Sequence, residues 1–577
     1  MLTNLQIADI FEEMADILEF QGENPFRVRA YRNGSRAIRD LGESIAAIAV
    51  SDPARLVEFD DIGKTIAEKT VTLVETGELP QLIKLRKEVP ATVLAMMRIQ
   101  GLGPKKAAVI FKELGVATLE ELKTACEEGK IQALKGFGKK TEQMILDGIP
   151  LAAEAETRIL WHDADQTAQA LREHLETCPS IEKLELAGSY RRRKETIGDL
   201  DVLVVSSDVK QVMDRLGEFP GVATVLARGE TKMSIRLDTK LQIDLRVVPA
   251  RSFGAALQYF TGSKEHNVEL RGRAKQQGLK INEYGVFRVE DGEETYLGGQ
   301  TEKEVYDLLE LPVFPPELRE NRREYEWAAQ GKLPELVELD DIRGDLHMHT
   351  TETDGSATLE EMVAAARERG LKYIAITDHS QRVSMARGLD PVRLRAQWKQ
   401  IDALRETLPK SFTLLKGIEC DILEKGGMDL PDDVLAEADW VLASIHYGQK
   451  QSRQQITERL LEAIENPHVT CIAHPTGRLL NQRPPYEVDL DAVLLAAQKH
   501  HTLLELNANP RRLDLNDTYC AAAKAHGIPI VVNTDAHAVE HFDFMRCGVL
   551  QARRGGLTKA DVANTHTWLQ MKKMMKK

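Results

Sequence analysis

Cysteine is sparse and unpaired in this chain. The six residues at 126, 178, 420, 471, 520 and 547 include no Cys-x-x-Cys, which leaves no sign of a disulfide framework or a cysteine-based zinc module. They read as the reduced thiols of a cytosolic protein. Long apolar runs are also missing: none approaches the roughly 18 residues needed to cross a bilayer, so no membrane partner is expected. Nor is there an excess of basic charge. The net charge is −14 and no segment is globally basic, so any claim of nucleic-acid binding must rest on local patches. The opening stretch MLTNLQIADIFEEMADILEF carries acidic residues where a secretory leader needs basic ones, and it reads as an amphipathic helix. What is present, 42% hydrophobic and 29% charged residues, describes a globular protein. At 577 residues it is too long for one core, and roughly three to four domains of about 150 residues are expected.

The first 150 residues read as helical and glycine-punctuated. Three stretches resemble one another: DDIGKTIAEK (60–69), QGLGPKKAAVIF (100–111) and KGFGKKTEQMI (135–145). Each sets an apolar-Gly turn before a lysine-rich helix start. Such a turn lets backbone N–H groups at a helix N-terminus approach a phosphate. Gly101, Gly103 and Lys105 form the fullest copy, with Pro104 suited to the first helical turn. Gly136, Gly138 and Lys139 form a second, and Gly63 belongs to a degraded one in which Asp61 takes the first glycine position. A single copy is as well explained by an ordinary helix start; three together point to sequence-independent DNA contacts through phosphates.

From about residue 183 strands and helices alternate. In LAGSYRRRKETIGDLDVLVV (186–205), Asp199 and Asp201 open an apolar strand and must share a face, because side chains two apart on a strand point the same way. Carboxylates that close repel unless cations lie between them, and hard oxygen donors suit Mg²⁺. A third carboxylate, Asp244 in LQIDLRVV, sits among apolar strand residues, a costly place for an unpartnered charge. Three carboxylates suffice for two-metal phosphoryl transfer, and Gly188-Ser189 with Arg191, Arg192, Arg193 and Lys194 offers donors for a triphosphate.

Beyond 342 a new alternation begins with GDLHMHTTETDG (344–355), where His347 and His349 share a strand face and Asp354 follows. Ligand-type residues then recur at the ends of strand-length apolar runs: His379, Glu419, His446, His474, and Asp535 with His537. About seven strands, separated by helices such as TLEEMVAAARERG, describe a parallel β/α barrel with its active site at the carboxyl-terminal face.

Two resemblances follow from these motifs. Residues 1–320 resemble the family X DNA polymerases of the beta type, with GSYRR, GDLD, IDLR, QYFTGS (258–263) and GLKINEYGVF (278–287) in the family's order. The resemblance implies two Mg²⁺ ions on Asp199, Asp201 and Asp244, with Asp244 as base for the primer 3′-hydroxyl. It implies Ser189, Arg192 and Gly198 on the incoming triphosphate, Tyr259, Phe260 and Gly262 around the sugar, and Asn267 and Arg271 along the nascent base pair and template. Lys264 and Gln242 depart from the beta type, which has an acidic residue and an arginine there. Lys69 is the positional match to the family's Schiff-base lyase lysine, with Arg27 and Lys84 as candidate helpers and Thr65 replacing a lysine; an ordinary helical lysine is the competing reading.

Residues 342–570 resemble the polymerase and histidinol phosphatase (PHP) family through His-x-His, Thr-Asp-His, the central Glu, Ser-x-His, Ala-His-Pro and Asp-x-His. That implies up to three divalent ions, Mn²⁺ or Zn²⁺, on His347, His349, Asp354, His379, Glu419, His446, His474, Asp535 and His537. The joint expectation is a multidomain α and α/β chain: a lyase-like helical domain (1–90), a fingers-like helical region (91–150), a mixed α/β nucleotidyltransferase palm (151–257), a thumb-like nucleotide-selection subdomain (258–320), a linker (321–341) and a distorted (β/α)7 barrel (342–577). Its expected partners are deoxynucleoside triphosphates and gapped or primed DNA with a recessed 3′ end and a 5′-phosphate. Its expected setting is a bacterial cytoplasm, at the nucleoid, as a monomer. The barrel is expected to act as a 3′→5′ exonuclease, with abasic-site cleavage as a further activity. Two other readings stand beside it, a barrel that hydrolyses small phosphate esters and a non-catalytic DNA-end scaffold.

Overall fold

The computed structural model describes residues 4–41, 44–59, 61–99, 102–154, 158–290 and 292–575. They fall into two compact units, Met1–Arg158 and Ile159–Lys577. In the first unit every named element is helical. The opening helix Asn4–Phe20 buries Ile7, Phe11, Met14 and Leu18, spaced four, three and four residues apart so that they fall on one stripe. Each buried apolar side chain of this size contributes about 1.5–3 kcal/mol. On another stripe Glu12, Asp16 and Glu19 all reach Arg32 of the next helix, at 2.5, 2.7 and 2.6 Å. No described helix is long and apolar enough to cross a membrane.

In the second unit a five-stranded mixed sheet comes first. Its order is Ile181–Leu186, Asp199–Ser206, Gln242–Val247, Lys232–Leu237, Val222–Arg228, with Asp199–Ser206 and Gln242–Val247 parallel and the other pairs antiparallel. Beyond its acidic start, the strand Asp199–Ser206 is buried on both faces along Val202–Val205, which explains why that stretch is continuously apolar. A three-stranded antiparallel sheet, Leu279–Asn282, Gly285–Glu290 and Glu293–Gly298, follows the helices Phe253–Thr261 and Lys264–Gln276.

Residues 321–341, expected as a linker, are packed rather than loose. They hold a short helix, Glu324–Ala329, and Glu324, 1% exposed, bonds the buried His266 ring at 2.9 Å.

The seven parallel strands Gly344–Asp345, Tyr373–Ile376, Thr413–Asp421, Trp440–Ser444, Cys471–Ile472, Leu503–Asn507 and Ile530–Asn533 pair in chain order. A parallel bridge, Met348↔Ala536, joins the first to the last and makes a near-closed (β/α)7 barrel. All six cysteines are buried and unpaired.

Two candidate metal centres

Strand register builds the first centre. Asp201 lies opposite Asp244 and Asp199 opposite Gln242 in the parallel pair, so the three carboxylates converge on one face. Asp244 is 8% exposed. It accepts hydrogen bonds from Ser234 Oγ and from Gln242 Nε2 at 2.8 Å, and Lys232 Nζ stands 3.3 Å away. Gln242 thus serves as a neutral donor to the triad. Burial first, then the Asp199 and Asp244 charges, push the Asp201 carboxyl up to about 7. Crowded oxygen donors that resist shared ionisation fit hard divalent cations such as Mg²⁺. Gly188 allows this packing: its φ is +63°, and a Cβ there would lie 2.3 Å from Asp201 Oδ2.

Around the triad, Ser189 lies in the short helix Gly188–Arg191, and Gly198 is exposed just before Asp199. Arg192 donates from Nη1 to Thr261 O at 2.5 Å and from Nε to Glu320 Oε1 at 3.1 Å. Arg191 is committed elsewhere, forked onto Glu302 at 2.8 and 2.7 Å. Gly262 has φ +70°, and a Cβ there would stand 3.0 Å from Arg192 Nη1. Tyr259 and Phe260 meet edge-on at 5.1 Å, and Arg246 lies over the Phe260 ring. Asn267 donates to Tyr259 O at 2.7 Å and accepts from Gln258, while Arg271 bonds back to Asn267 O. Lys264 is exposed at the start of its helix.

In the helical unit, Gly63 and Gly103 are the N-caps of Lys64–Thr76 and Pro104–Leu114, and Gly138 precedes Lys139–Glu154. Open space lies beside Gly63, Gly103, Gly136 and Gly138, and Lys105 and Lys139 are exposed next to the turns. Gly101 lies outside the described residues. Lys69 is half-buried: its Nζ bonds Gln81 Oε1 at 2.7 Å, and burial together with the Arg27 charge lowers its pKa.

The barrel builds the second centre at the carboxyl ends of its strands. Glu419 is central, with His379 Nδ1 at 2.8 Å, His474 Nε2 at 3.0 Å, His347 Nε2 at 3.4 Å and His446 Nε2 at 3.5 Å. Asp535 faces His349 Nε2 at 3.2 Å, and Asp354 faces His379 at 3.4 Å and His537 at 3.5 Å. Three overlapping ligand groups emerge: His349, Asp354, His379 and His537; His347, His349 and Asp535; and His379, Glu419 and His446. The nine expected residues are therefore gathered in one place. Buried ring nitrogens His349 Nδ1 and His474 Nδ1 have no hydrogen-bond partner, a state that favours a bound cation. The mixed nitrogen and oxygen set fits Zn²⁺ or Mn²⁺. Burial, with the His537 and His379 charges, holds the His349 pKa down to about 3, so its ring is neutral and able to ligate. His474 and Asp535 keep φ values of +29° and +54°, backbone strain of the kind that collects at functional sites.

Sequence reading passed over the residues behind the ligands. Glu505, fully buried, bonds His347 Nδ1 at 2.7 Å, His474 N at 2.7 Å and Asn533 Nδ2 at 2.9 Å. Asp421 holds His446 Nδ1 at 3.1 Å. Such partners fix the tautomer and orientation of a ligating ring. Glu505→Gln is therefore expected to weaken metal-dependent hydrolysis about 10–100-fold, with part of the loss recovered at high Mn²⁺. Equal loss at every metal concentration would argue against that role.

Comparison with known proteins gives matches along most of the chain. Residues 2–79 match a helix-hairpin-helix domain and 93–149 a SAM-like helix-hairpin-helix tandem. Residues 158–249 match the DNA polymerase beta palm, 256–320 the DNA polymerase beta thumb and 345–509 the PHP domain. A Bacillus subtilis protein described as DNA polymerase/3′-5′ exonuclease PolX is 41% identical over 574 residues, 99% of each chain. DNA polymerase lambda of Rattus norvegicus is 27% identical over 55% of this chain and 56% of its own. A probable phosphatase of a Thermoanaerobacter species is 28% identical over 38% of this chain and 89% of its own.

Proposed function

The chain belongs to the family X DNA polymerases that carry a PHP domain, and from that premise we propose that it fills short DNA gaps at the Asp199–Asp201–Asp244 centre and trims 3′ ends at the barrel centre. The observation that carries the proposal is the pair of chemically distinct ligand clusters, one all-oxygen and one histidine-rich, within a single chain.

At the first centre the primer 3′-hydroxyl oxygen attacks the α-phosphorus of a deoxynucleoside triphosphate, and pyrophosphate leaves. Asp244, oriented by Ser234 and Gln242, takes the hydroxyl proton. Ser189, Arg192 and Gly198 hold the triphosphate, Tyr259, Phe260 and Gly262 bound the sugar, and Asn267 and Arg271 line the base pair. At the second centre water attacks the terminal phosphodiester and a nucleoside monophosphate departs. Glu505 and Asp421 keep the rings of His347 and His446 turned inward. When bound, divalent ions (Mg²⁺ on the Asp triad, Mn²⁺ or Zn²⁺ on the barrel residues) supply charge neutralisation and Lewis acidity at phosphorus.

The preferred substrate is a gapped duplex with a recessed 3′ end and a 5′-phosphate, approached by the hairpins through Gly63, Gly103, Lys105, Gly136, Gly138 and Lys139. An end-labelled gapped duplex, incubated with Mg²⁺ or Mn²⁺ with and without nucleotides, tests the whole reading. Extension with nucleotides and shortening without them are expected, and a substrate unchanged in both arms would sink it. The likeness of the barrel to a probable phosphatase supports a second reading, hydrolysis of small phosphate esters. Faster cleavage of a simple monoester than of a 3′-recessed duplex would favour it.

Lys69 is proposed as the Schiff-base nucleophile toward an incised abasic site, because a depressed pKa leaves more of the amine neutral. Borohydride should trap a covalent adduct with wild type and none with Lys69→Ala. An undiminished adduct in the variant would assign the chemistry to another amine.

A further inference from the structure

The barrel helix Met545–Arg554 packs against the short turn Pro316–Leu318 of the polymerase part, and its last residue does not face solvent: Arg554 is 5% exposed. Its Nη1 donates to the backbone oxygen of Arg192 at 2.7 Å and to Glu320 Oε1 at 3.0 Å, and its Nη2 donates to Asp517 Oδ2 at 2.7 Å. The same Glu320 oxygen accepts from Arg192 Nε at 3.1 Å. Asp517 also faces Arg322 Nη1 at 3.2 Å. Charges thus alternate in one chain, Arg192, Glu320, Arg554, Asp517, Arg322. It begins in the loop beside the carboxylate triad and ends at the segment that joins the polymerase part to the barrel.

Resting on the reading of Arg192 as a triphosphate ligand, we propose that Arg554 of the barrel is a positioning residue for nucleotide addition. Two effects act together. The bond to the Arg192 carbonyl fixes the loop that carries the guanidinium. The bond to Glu320 occupies a carboxylate that would otherwise fork onto Arg192 and compete with the triphosphate for it. Without Arg554, Glu320 is still held ionised by the Lys194, Arg192 and Arg322 charges, and Arg192 is the one of these already bonded to it. Nucleotide affinity therefore falls although no residue of the polymerase part has changed. The barrel in this view completes the nucleotide pocket, independently of any hydrolysis at its own centre.

Steady-state insertion of one nucleotide into gapped DNA by the full-length chain tests this. Arg554→Gln is expected to raise KM for the nucleotide about tenfold while kcat stays within about twofold, and Arg554→Lys to recover part of the loss. Exonuclease activity on the same duplex should not change, since Arg554 is none of the barrel's ligands. Loss of an arginine between buried carboxylates also threatens folding. Glu320→Gln/Arg554→Gln therefore completes a double-mutant cycle in which neither Glu320 nor Arg554 leaves the other as an unpaired charge, and its KM is expected to lie nearer wild type than that of Arg554→Gln. Parallel loss of both activities in all variants would make Arg554 a merely structural residue and overturn the proposal. An unchanged KM in Arg554→Gln, with KM raised by Arg192→Lys, would overturn the relay and leave the nucleotide reading standing. An unchanged KM in Arg192→Lys would instead remove the reading on which the relay rests.

Discussion

Asp201→Asn leaves nucleotide addition roughly a thousandfold slower, about 4 kcal/mol in transition-state free energy, while 3′-end hydrolysis continues at the wild-type rate. Asparagine keeps the shape of the side chain opposite Asp244 and removes only the charge that makes the pocket attractive to cations. The same change has a second signature. In the folded chain the Asp201 carboxyl titrates at about 7 against an ordinary 3.8, so the unfolded chain releases this proton first. Folded stability is then lost as pH rises from 3.8 through about 7, and above that range the penalty is complete. Asparagine carries no such penalty. In chelator above about pH 8 the variant should melt higher than wild type, with the difference shrinking on acidification. Thermal melts across that range, beside a primer-extension assay, check both halves. A variant that melts lower at alkaline pH would show that Asp201 is stabilised by a partner instead of crowded by its neighbours.

His347→Ala is the counterpart at the barrel. The ring stands between Glu419 at 3.4 Å and Asp535 at 3.5 Å, with Glu505 behind it at 2.7 Å. Alanine removes a donor nitrogen from the middle of the ligand set and leaves buried carboxylates facing one another. Exonuclease activity should fall roughly thousandfold, about 4 kcal/mol, with primer extension unaltered. Release of labelled monophosphate from a 3′-recessed duplex, scored beside extension, reads this directly. If either variant silenced both activities in a folded protein, the two centres would not be chemically separate.

Local periodicity explains how much of this was legible in the chain itself. His347 with His349, and Asp199 with Asp201, declare a shared face because the strand repeat is two residues. That repeat cannot say which strand lies alongside: only the sheet order sets Asp244 opposite Asp201. Glu505 shows the same limit. It interrupts an apolar strand just as Asp244 does, yet its partner His347 lies 158 residues away and no spacing rule connects them. Residues 321–341 mislead for a related reason. Prolines and charges gave them the texture of a linker, but His266, the partner that buries Glu324, is 58 residues distant. Lys69 sits on a helix whose pattern cannot reveal that Gln81 and Arg27 close around its amine.

The tight approach at Gly188 carries its own consequence. Alanine, the smallest replacement, would already drive a methyl group into the Asp201 carboxylate, and the backbone there favours no other residue. In a saturation scan scored by DNA synthesis, position 188 would therefore be as intolerant as an acid of the triad, although it contributes no reactive atom. Sensitivity to substitution at such a place measures elbow room, and an engineer seeking faster or looser copying would do well to begin elsewhere.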